Sequence, residues 1–233
     1  MKGAPAVRQA SSANSPVILM AAVGAAAGSL AAAAALAAAA SEPDRAALLV
    51  ELSDGRRPQP GLIATAAARR LEERLAAHLS EAGVASRGPL CRLQLPADVG
   101  GVERLPAALP LARNSAAVVH LPPALLQPVL DQPGIGPTGL LLRADLAADR
   151  ALTALAVREP LERGLRVAVL KQPLGWLAAR RALLGALPAG AAVLPPRLQA
   201  RLIAADKNFL NRYHGGDGKE HGQKADLSAR GGS

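Results

Sequence analysis

Two polar residues near the ends of apolar runs are of types that carry chemistry. Glu51 lies near the end of the run at residues 46–52, and His120 lies near the end of the run at residues 116–121, just before two prolines. A carboxylate at a strand end can orient water, and an imidazole there can act as a base. Each position also suits a structural role, as a surface residue or cap for Glu51 and as a hydrogen-bonded histidine for His120.

A third candidate is the small-residue stretch near the amino terminus. Residues 24–29 stand between a short β-prone run at residues 17–20 and the alanine-rich residues 30–40, which favour helix by propensity. Strand, glycine-containing loop and helix is the order found in phosphate-binding loops, where backbone N–H groups face the anion. The candidate loop positions are Gly24, Ala25, Ala26, Gly28, Ser29 and Leu30.

Residues 17–40 contain no charged side chain, so two other interpretations stay open. The stretch is long enough for a transmembrane helix, although alanine favours insertion far less than leucine does. It also resembles an export signal, because Lys2 and Arg8 precede it and three alanines precede Ser41. The elements that follow residue 40 must decide among the three interpretations.

The other reactive side chains form no recognisable site. Cys91 is the one cysteine of the chain, and a small core residue is a simpler interpretation than a nucleophile. His214 and His221 lack a third ligand, so we expect no metal site. No GxSxG, CxxC or HExxH motif is present, so a different kind of enzyme on the same sheet is not expected. The net charge is +9, but aromatic residues make up only 1% of the chain, so a base-stacking set is missing and nucleic-acid binding is not expected.

Apolar runs and amphipathic stretches alternate from residue 46 onward. Residues 46–52 are continuously apolar up to Glu51, as in a strand buried on both faces of a parallel sheet. Residues 62–82 predict a long amphipathic helix with Leu71, Leu75 and Leu79 on one side, which Gly83 ends. The pattern predicts further strands at residues 89–96, 116–121, 138–143, 165–170 and 191–194. It predicts helices at residues 101–112 (interrupted by Pro106 and Pro110), 145–164 (bent or divided at Pro160), 177–187 and 197–206.

This alternation predicts an α/β fold, a three-layer sandwich with a mostly parallel sheet. We expect one such domain over residues 16–206. Residues 1–15 and 207–233 lack apolar periodicity and predict a disordered leader and a disordered polar tail.

In the order of its elements, the chain resembles the MinD/ParA class of P-loop ATPases over residues 16–206. The opening strand, loop and helix and the strand that contains Glu51 occupy the places of that family's first elements. Four shorter segments are similar to later segments of the family and occur in the same order, at residues 118–123, 139–145, 166–170 and 193–196.

The resemblance also shows what this chain lacks. The family loop reads lysine-glycine-glycine-x-glycine-lysine-threonine. Alignment on Gly28 puts Gly24 at the signature lysine, Ala25 and Ala26 at two glycines, Ser29 at the phosphate-binding lysine and Leu30 at the magnesium-binding hydroxyl. Serine cannot neutralise a phosphate, and leucine cannot coordinate magnesium.

Two further positions follow from the resemblance. Glu51 takes the place of the acidic residue that ends the second strand, and His120 takes the place of a switch aspartate. A histidine is a poor ligand for a hard cation. The resemblance therefore implies that ATP hydrolysis is absent or very weak and that any ATP or ADP binding is weakened.

A degenerate member of this class is most similar to the TadZ/CpaE-type proteins of pilus assembly. That similarity implies a non-catalytic, cytoplasmic scaffold or localisation protein for pilus or secretion assembly or for cell division. We expect protein partners, a homodimer and an association with membrane machinery. The alternative is a membrane-anchored or exported protein, with residues 17–40 as the anchor or signal.

Overall fold

A computed structural model describes residues 16–23, 29–55, 57–61, 63–112, 115–144, 150–171 and 192–193. Its strands are β1 (Val17–Val23), β2 (Ala47–Leu52), β3 (Gly83–Arg87), β4 (Leu90–Leu95), β5 (Ala117–Leu121), β6 (Gly139–Ala144), β7 (Arg166–Lys171) and β8 (Ala192–Val193). They form one sheet in the order β3-β4-β2-β5-β1-β6-β7-β8. The strands pair in parallel except for β3, which runs antiparallel to β4.

The first strand lies in the middle of this sheet. β1 pairs in parallel with β5 on one side and with β6 on the other. The chain then forms the helix α1 (Ser29–Ala39) before it enters β2. The interpretation of residues 17–40 as a strand followed by a helix is therefore confirmed, and the strand extends three residues beyond Met20.

Within the described ranges, no helix is long and apolar enough to cross a membrane.

Helices cover the sheet on both faces. On one face, α1 packs on a core that includes Met20, Leu49 and Val118. On the other face lie the helices α2 (Ala66–His78), α3 (Val99–Ala108), α4 (Leu126–Asp131) and α5 (Arg150–Glu162), which contribute Leu71, Leu75, Val102, Leu105, Val129 and Val157 to a larger core. The expected three-layer α/β architecture with a mostly parallel sheet is confirmed.

Alanine explains how closely α1 approaches the sheet. Ala32, Ala33, Ala34 and Ala37 are all buried against β1, β2 and β5. A methyl side chain costs no rotamer entropy on burial and lets the helix backbone lie near the strands. The same alanines that suggested a marginal membrane span in the sequence therefore form a tightly packed helix in the core.

The predicted helix at residues 62–82 is wrong at both ends. α2 begins after Thr65, whose hydroxyl accepts a hydrogen bond from Ala68 N at 3.2 Å, and it ends at His78. Gly83 does not stop a helix but begins β3, a strand that the sequence did not predict. A Cβ atom at Gly83 would lie 2.9 Å from Pro58 Cδ, so the glycine is required by close packing and is not a termination signal.

The other elements differ from the predictions by small amounts. α3 begins at Val99, two residues before the predicted start, because the Asp98 carboxylate caps it by accepting a hydrogen bond from Gly101 N at 2.8 Å. The predicted interruption at Pro106 is wrong, because α3 continues through that residue. Residues 109–112, which include Pro110, follow as a 3₁₀ turn. α5 continues through Pro160 without division. The predicted helices at residues 177–187 and 197–206, the leader and the tail lie outside the described residues.

Candidate functional site

Polar side chains collect at the carboxyl edge of the parallel strands. Gln94 on β4, Glu51 on β2, His120 on β5 and Met20 on β1 are aligned in register on neighbouring strands. Residues aligned in this way share one face of a sheet, and Met20 packs against the alanines of α1. The three polar residues therefore lie on the α1 face, at the edge where open α/β sheets bind ligands.

The first residue of α1 joins this row. A hydrogen bond of 2.8 Å links Ser29 Oγ and His120 Nε2, two residues that are 91 positions apart in the chain. Ser29 is buried, with 9% of its surface exposed. Adjacent placement of β1 and β5 brings the start of α1 over the end of β5, which explains the contact. The Ser29 hydroxyl is thus already engaged within the protein.

The environment of His120 favours the neutral imidazole. Burial lowers the pKa of His120 below its ordinary value of 6.5, and the positive charge of Arg92 acts in the same direction. The Glu51 carboxylate opposes this shift but does not reverse it. Nδ1 is buried, and within the described part of the chain it has no hydrogen-bond partner.

Glu51 is held in an ion pair across two strands. Its side chain is 8% exposed, and its Oε2 accepts hydrogen bonds from Arg92 on β4, of which the bond from Nε measures 2.9 Å. Its Oε1 accepts a hydrogen bond from Ser53 Oγ at 2.8 Å. Both carboxylate oxygens therefore have protein partners.

Gln94 extends the network to the loop that follows β2. Its Nε2 lies 3.1 Å from Ser53 Oγ and donates to the backbone oxygen of Gly55 at 2.8 Å. Gln94 is buried, and its Oε1 has no hydrogen-bond partner among the described residues. The loop after β2 is consequently tied to β4 on the same face as Glu51.

The residues expected to form the site are thus partly brought together. Ser29, Glu51 and His120 meet at one edge of the sheet, and Leu30 is half-buried against the core beneath α1. Gly24, Ala25, Ala26 and Gly28 lie outside the described residues. Among those that are described, no group of three or more His, Cys, Asp or Glu residues could hold a metal ion.

The sequence reading missed three residues of this network, namely Arg92, Ser53 and Gln94. A signal for two of them was present, because Arg92 and Gln94 interrupt an otherwise apolar strand at two-residue spacing and must share one face. Cys91, which directly precedes Arg92 and so points to the opposite face of the strand, is buried, and burial raises the pKa of its thiol to about 12. That value fits the interpretation of Cys91 as a core residue.

The fold is similar to that of a solved ATPase. The crystal structure of a ParA family ATPase from Chlorobium tepidum TLS aligns with a TM-score of 0.51 and 13% sequence identity, over 87% of this chain and 93% of that one. A structure described as a partition protein aligns over 88% of this chain and 70% of that one, at 17% identity, but its TM-score of 0.42 is too low to support an argument. No protein-family model and no curated protein sequence matches the chain.

The protein accordingly has a ParA/MinD-type α/β fold, as the resemblance implied. At 13% identity the likeness establishes the fold alone. The function must be argued from the polar network at the carboxyl edge.

Proposed function

We propose that the protein is a non-catalytic scaffold of ParA/MinD-type fold that acts through protein contacts. In this proposal, residues 16–206 form the working domain, and ATP is not hydrolysed. The observation that carries it is the polar network at the carboxyl edge, in which Glu51 is neutralised by Arg92 and Ser29 is hydrogen-bonded to His120.

A magnesium nucleotide does not fit these residues. Phosphoryl transfer on this kind of loop requires a lysine for the β- and γ-phosphates and a hydroxyl and a carboxylate for magnesium. Ser29 carries no positive charge, and Leu30 packs against the core. Glu51 already has hydrogen bonds to both oxygens, from Ser53 and from Arg92. Binding of Mg²⁺ would require breaking that ion pair.

The finer role follows from the resemblance to TadZ/CpaE-type proteins. We propose a cytoplasmic homodimer that positions a pilus, secretion or division component at membrane-associated machinery. The loss of the phosphate-binding residues together with retention of the sheet and helices supports a role that depends on shape. The homodimer is checked separately by analytical ultracentrifugation of the full chain, where a purely monomeric species at micromolar concentration would contradict it.

The central test is a pair of assays on the full chain. Isothermal titration with ATP and magnesium measures binding, and a phosphate-release assay measures turnover, with the ParA family ATPase from Chlorobium tepidum TLS as the positive control. We expect no phosphate release above the buffer background. Clear turnover that Ser29→Ala abolishes would refute the proposal, because that loss would show that Ser29 serves catalysis.

A further inference from the structure

A concave surface lies at the edge of the sheet opposite to the one that holds Glu51 and His120. It is an open cleft of about 630 Å³ between α2, the segment before β2 and Ser115, which precedes β5. Because β2 and β5 run in parallel and both begin here, the cleft lies at the amino edge, away from Glu51 and His120. We refer to it as the α2 cleft.

The walls of the α2 cleft carry more cations than anions. Arg45, Arg70 and Arg74 line it together with His78, whereas Asp44 and Glu73 are its two carboxylates. Arg70 and Arg74 are exposed and stand one helical turn apart, so their guanidinium groups can reach the same ligand. Across the described ranges, neither side chain takes part in an ion pair or a hydrogen bond.

The frame around these side chains is held by the backbone. Glu42 and Arg45 exchange backbone hydrogen bonds of 2.9 and 3.1 Å, which fixes the segment before β2. His78 Nδ1 donates to the carbonyl oxygen of Arg74 at 2.8 Å and closes the end of α2. The positions of the arginine Cα atoms are thus set before any ligand arrives, which lowers the entropy cost of binding.

The shape of the α2 cleft suits a peptide. Its lining residues on α2 run from Ala67 to His78, a stripe about 17 Å long at 1.5 Å per residue. An extended segment of about five residues covers that length. Ala46 and Leu71 form a small apolar floor on which uncharged side chains can rest.

Charge selects the kind of partner. A nucleic acid carries one negative charge on every backbone phosphate, so it would be repelled by Asp44 and Glu73 within the cleft. A peptide can place carboxylates opposite the arginines and uncharged residues opposite the two acids. The two ends of the chain are no match, because residues 1–15 contain Lys2 and Arg8 without any acid and residues 207–233 carry five basic against three acidic residues.

We infer that the α2 cleft is a docking site for an acidic segment of a partner protein. This inference rests on the proposed scaffold function and names the chemistry of its partner. Arginine pairs with a carboxylate through two parallel N–H donors, so Arg70 and Arg74 supply both attraction and orientation.

The test uses two fluorescein-labelled peptides of twelve residues, one of alternating Glu and Ala and one of alternating Gln and Ala. Fluorescence anisotropy with the full chain at 150 mM salt measures their affinities. Arg70→Glu and Arg74→Glu should each weaken binding of the Glu peptide at least about tenfold, since each replaces an attraction by a repulsion. Arg69→Glu is the matched control, because Arg69 is exposed on the same helix but does not line the cleft.

Each outcome either supports or overturns the inference of a docking site. A loss of at least tenfold in both cleft variants, with less than a twofold loss in Arg69→Glu, supports the inference. Equal losses in all three variants would show a general charge effect and overturn it, as would a failure of the wild-type chain to prefer the Glu peptide. Preferential, Arg70-dependent binding of duplex DNA or of anionic phosphatidylserine vesicles would also overturn it.

The same variants separate this inference from the proposed function. ATP titration on wild type and on Arg70→Glu reports on the carboxyl edge, which the substitution does not touch. If ATP is bound and hydrolysed while the peptide result holds, the scaffold proposal fails and the docking site stands. If ATP is not hydrolysed and the Glu peptide does not bind as expected, only the inference of a docking site is refuted.

Discussion

Removal of Arg92 is the sharpest test of the network at the carboxyl edge. Arg92→Leu leaves the Glu51 carboxylate, only 8% exposed, without its cation. Ser53 Oγ remains as its one donor among the contacts described above. A buried charge that loses its partner keeps the full cost of its desolvation.

The size of the effect follows from the burial of the pair. Breaking a buried ion pair costs about 3–5 kcal/mol, and we expect about 3 kcal/mol because Arg92 is not wholly buried and Ser53 still donates. For a chain of this length that corresponds to a fall in Tm of about 6–12 °C. Replacing both partners, in Glu51→Leu with Arg92→Leu, should return the stability to within about 1 kcal/mol of wild type, because no buried charge remains.

The assay is unfolding in urea, monitored by circular dichroism, with Arg104→Leu as the control. Arg104 pairs with Glu81 at 3.0 Å, but the two side chains are 41% and 78% exposed, so the loss should stay below about 1 kcal/mol. If Arg92→Leu costs no more than Arg104→Leu, the carboxylate of Glu51 is not buried as described. If the double variant is as unstable as Arg92→Leu, the cost is lost packing and not an unpaired charge.

Three further predictions concern His120, Cys91 and α1. Burial lowers the pKa of His120, so on acidification the unfolded chain takes up a proton near pH 6.5 before the folded chain does. The free energy of unfolding is therefore at its full value above that pH and falls as the pH drops towards the pKa of the folded chain. His120→Gln should flatten this dependence in unfolding experiments between pH 7.5 and 5, and an unchanged slope would contradict it. Cys91, with a thiol pKa of about 12 and no exposed surface, should react with Ellman's reagent only after unfolding in urea, and rapid labelling of the native chain would show that it is accessible. Ala33→Leu should lower the free energy of unfolding by about 1–3 kcal/mol through overpacking under α1. Ala39→Leu, at the exposed end of the same helix, should change it by less than about 0.5 kcal/mol. Equal effects of the two substitutions would mean that Ala33 is not buried under α1.

Only some residues of the candidate site could be predicted from the sequence. Glu51 and His120 stood out because each is polar and lies near the end of an apolar run, and the structure places them in register on neighbouring strands. Arg92 is 41 positions from Glu51 and belongs to a different strand, so its role as the counter-ion depends on which strands are neighbours. Ser29 and His120 likewise meet only because β1 and β5 are adjacent.

Sequence alone determined the local elements of this protein and their class. Continuous apolar runs, helix-favouring alanines and amphipathic spacing are properties of neighbouring residues, and they were enough to predict an α/β fold with a mostly parallel sheet. The tertiary structure decided the strand order, the antiparallel β3, the true ends of α2 and the partners of each buried polar group. These depend on contacts between residues far apart in the chain, where packing and the need to satisfy buried charges override local preference.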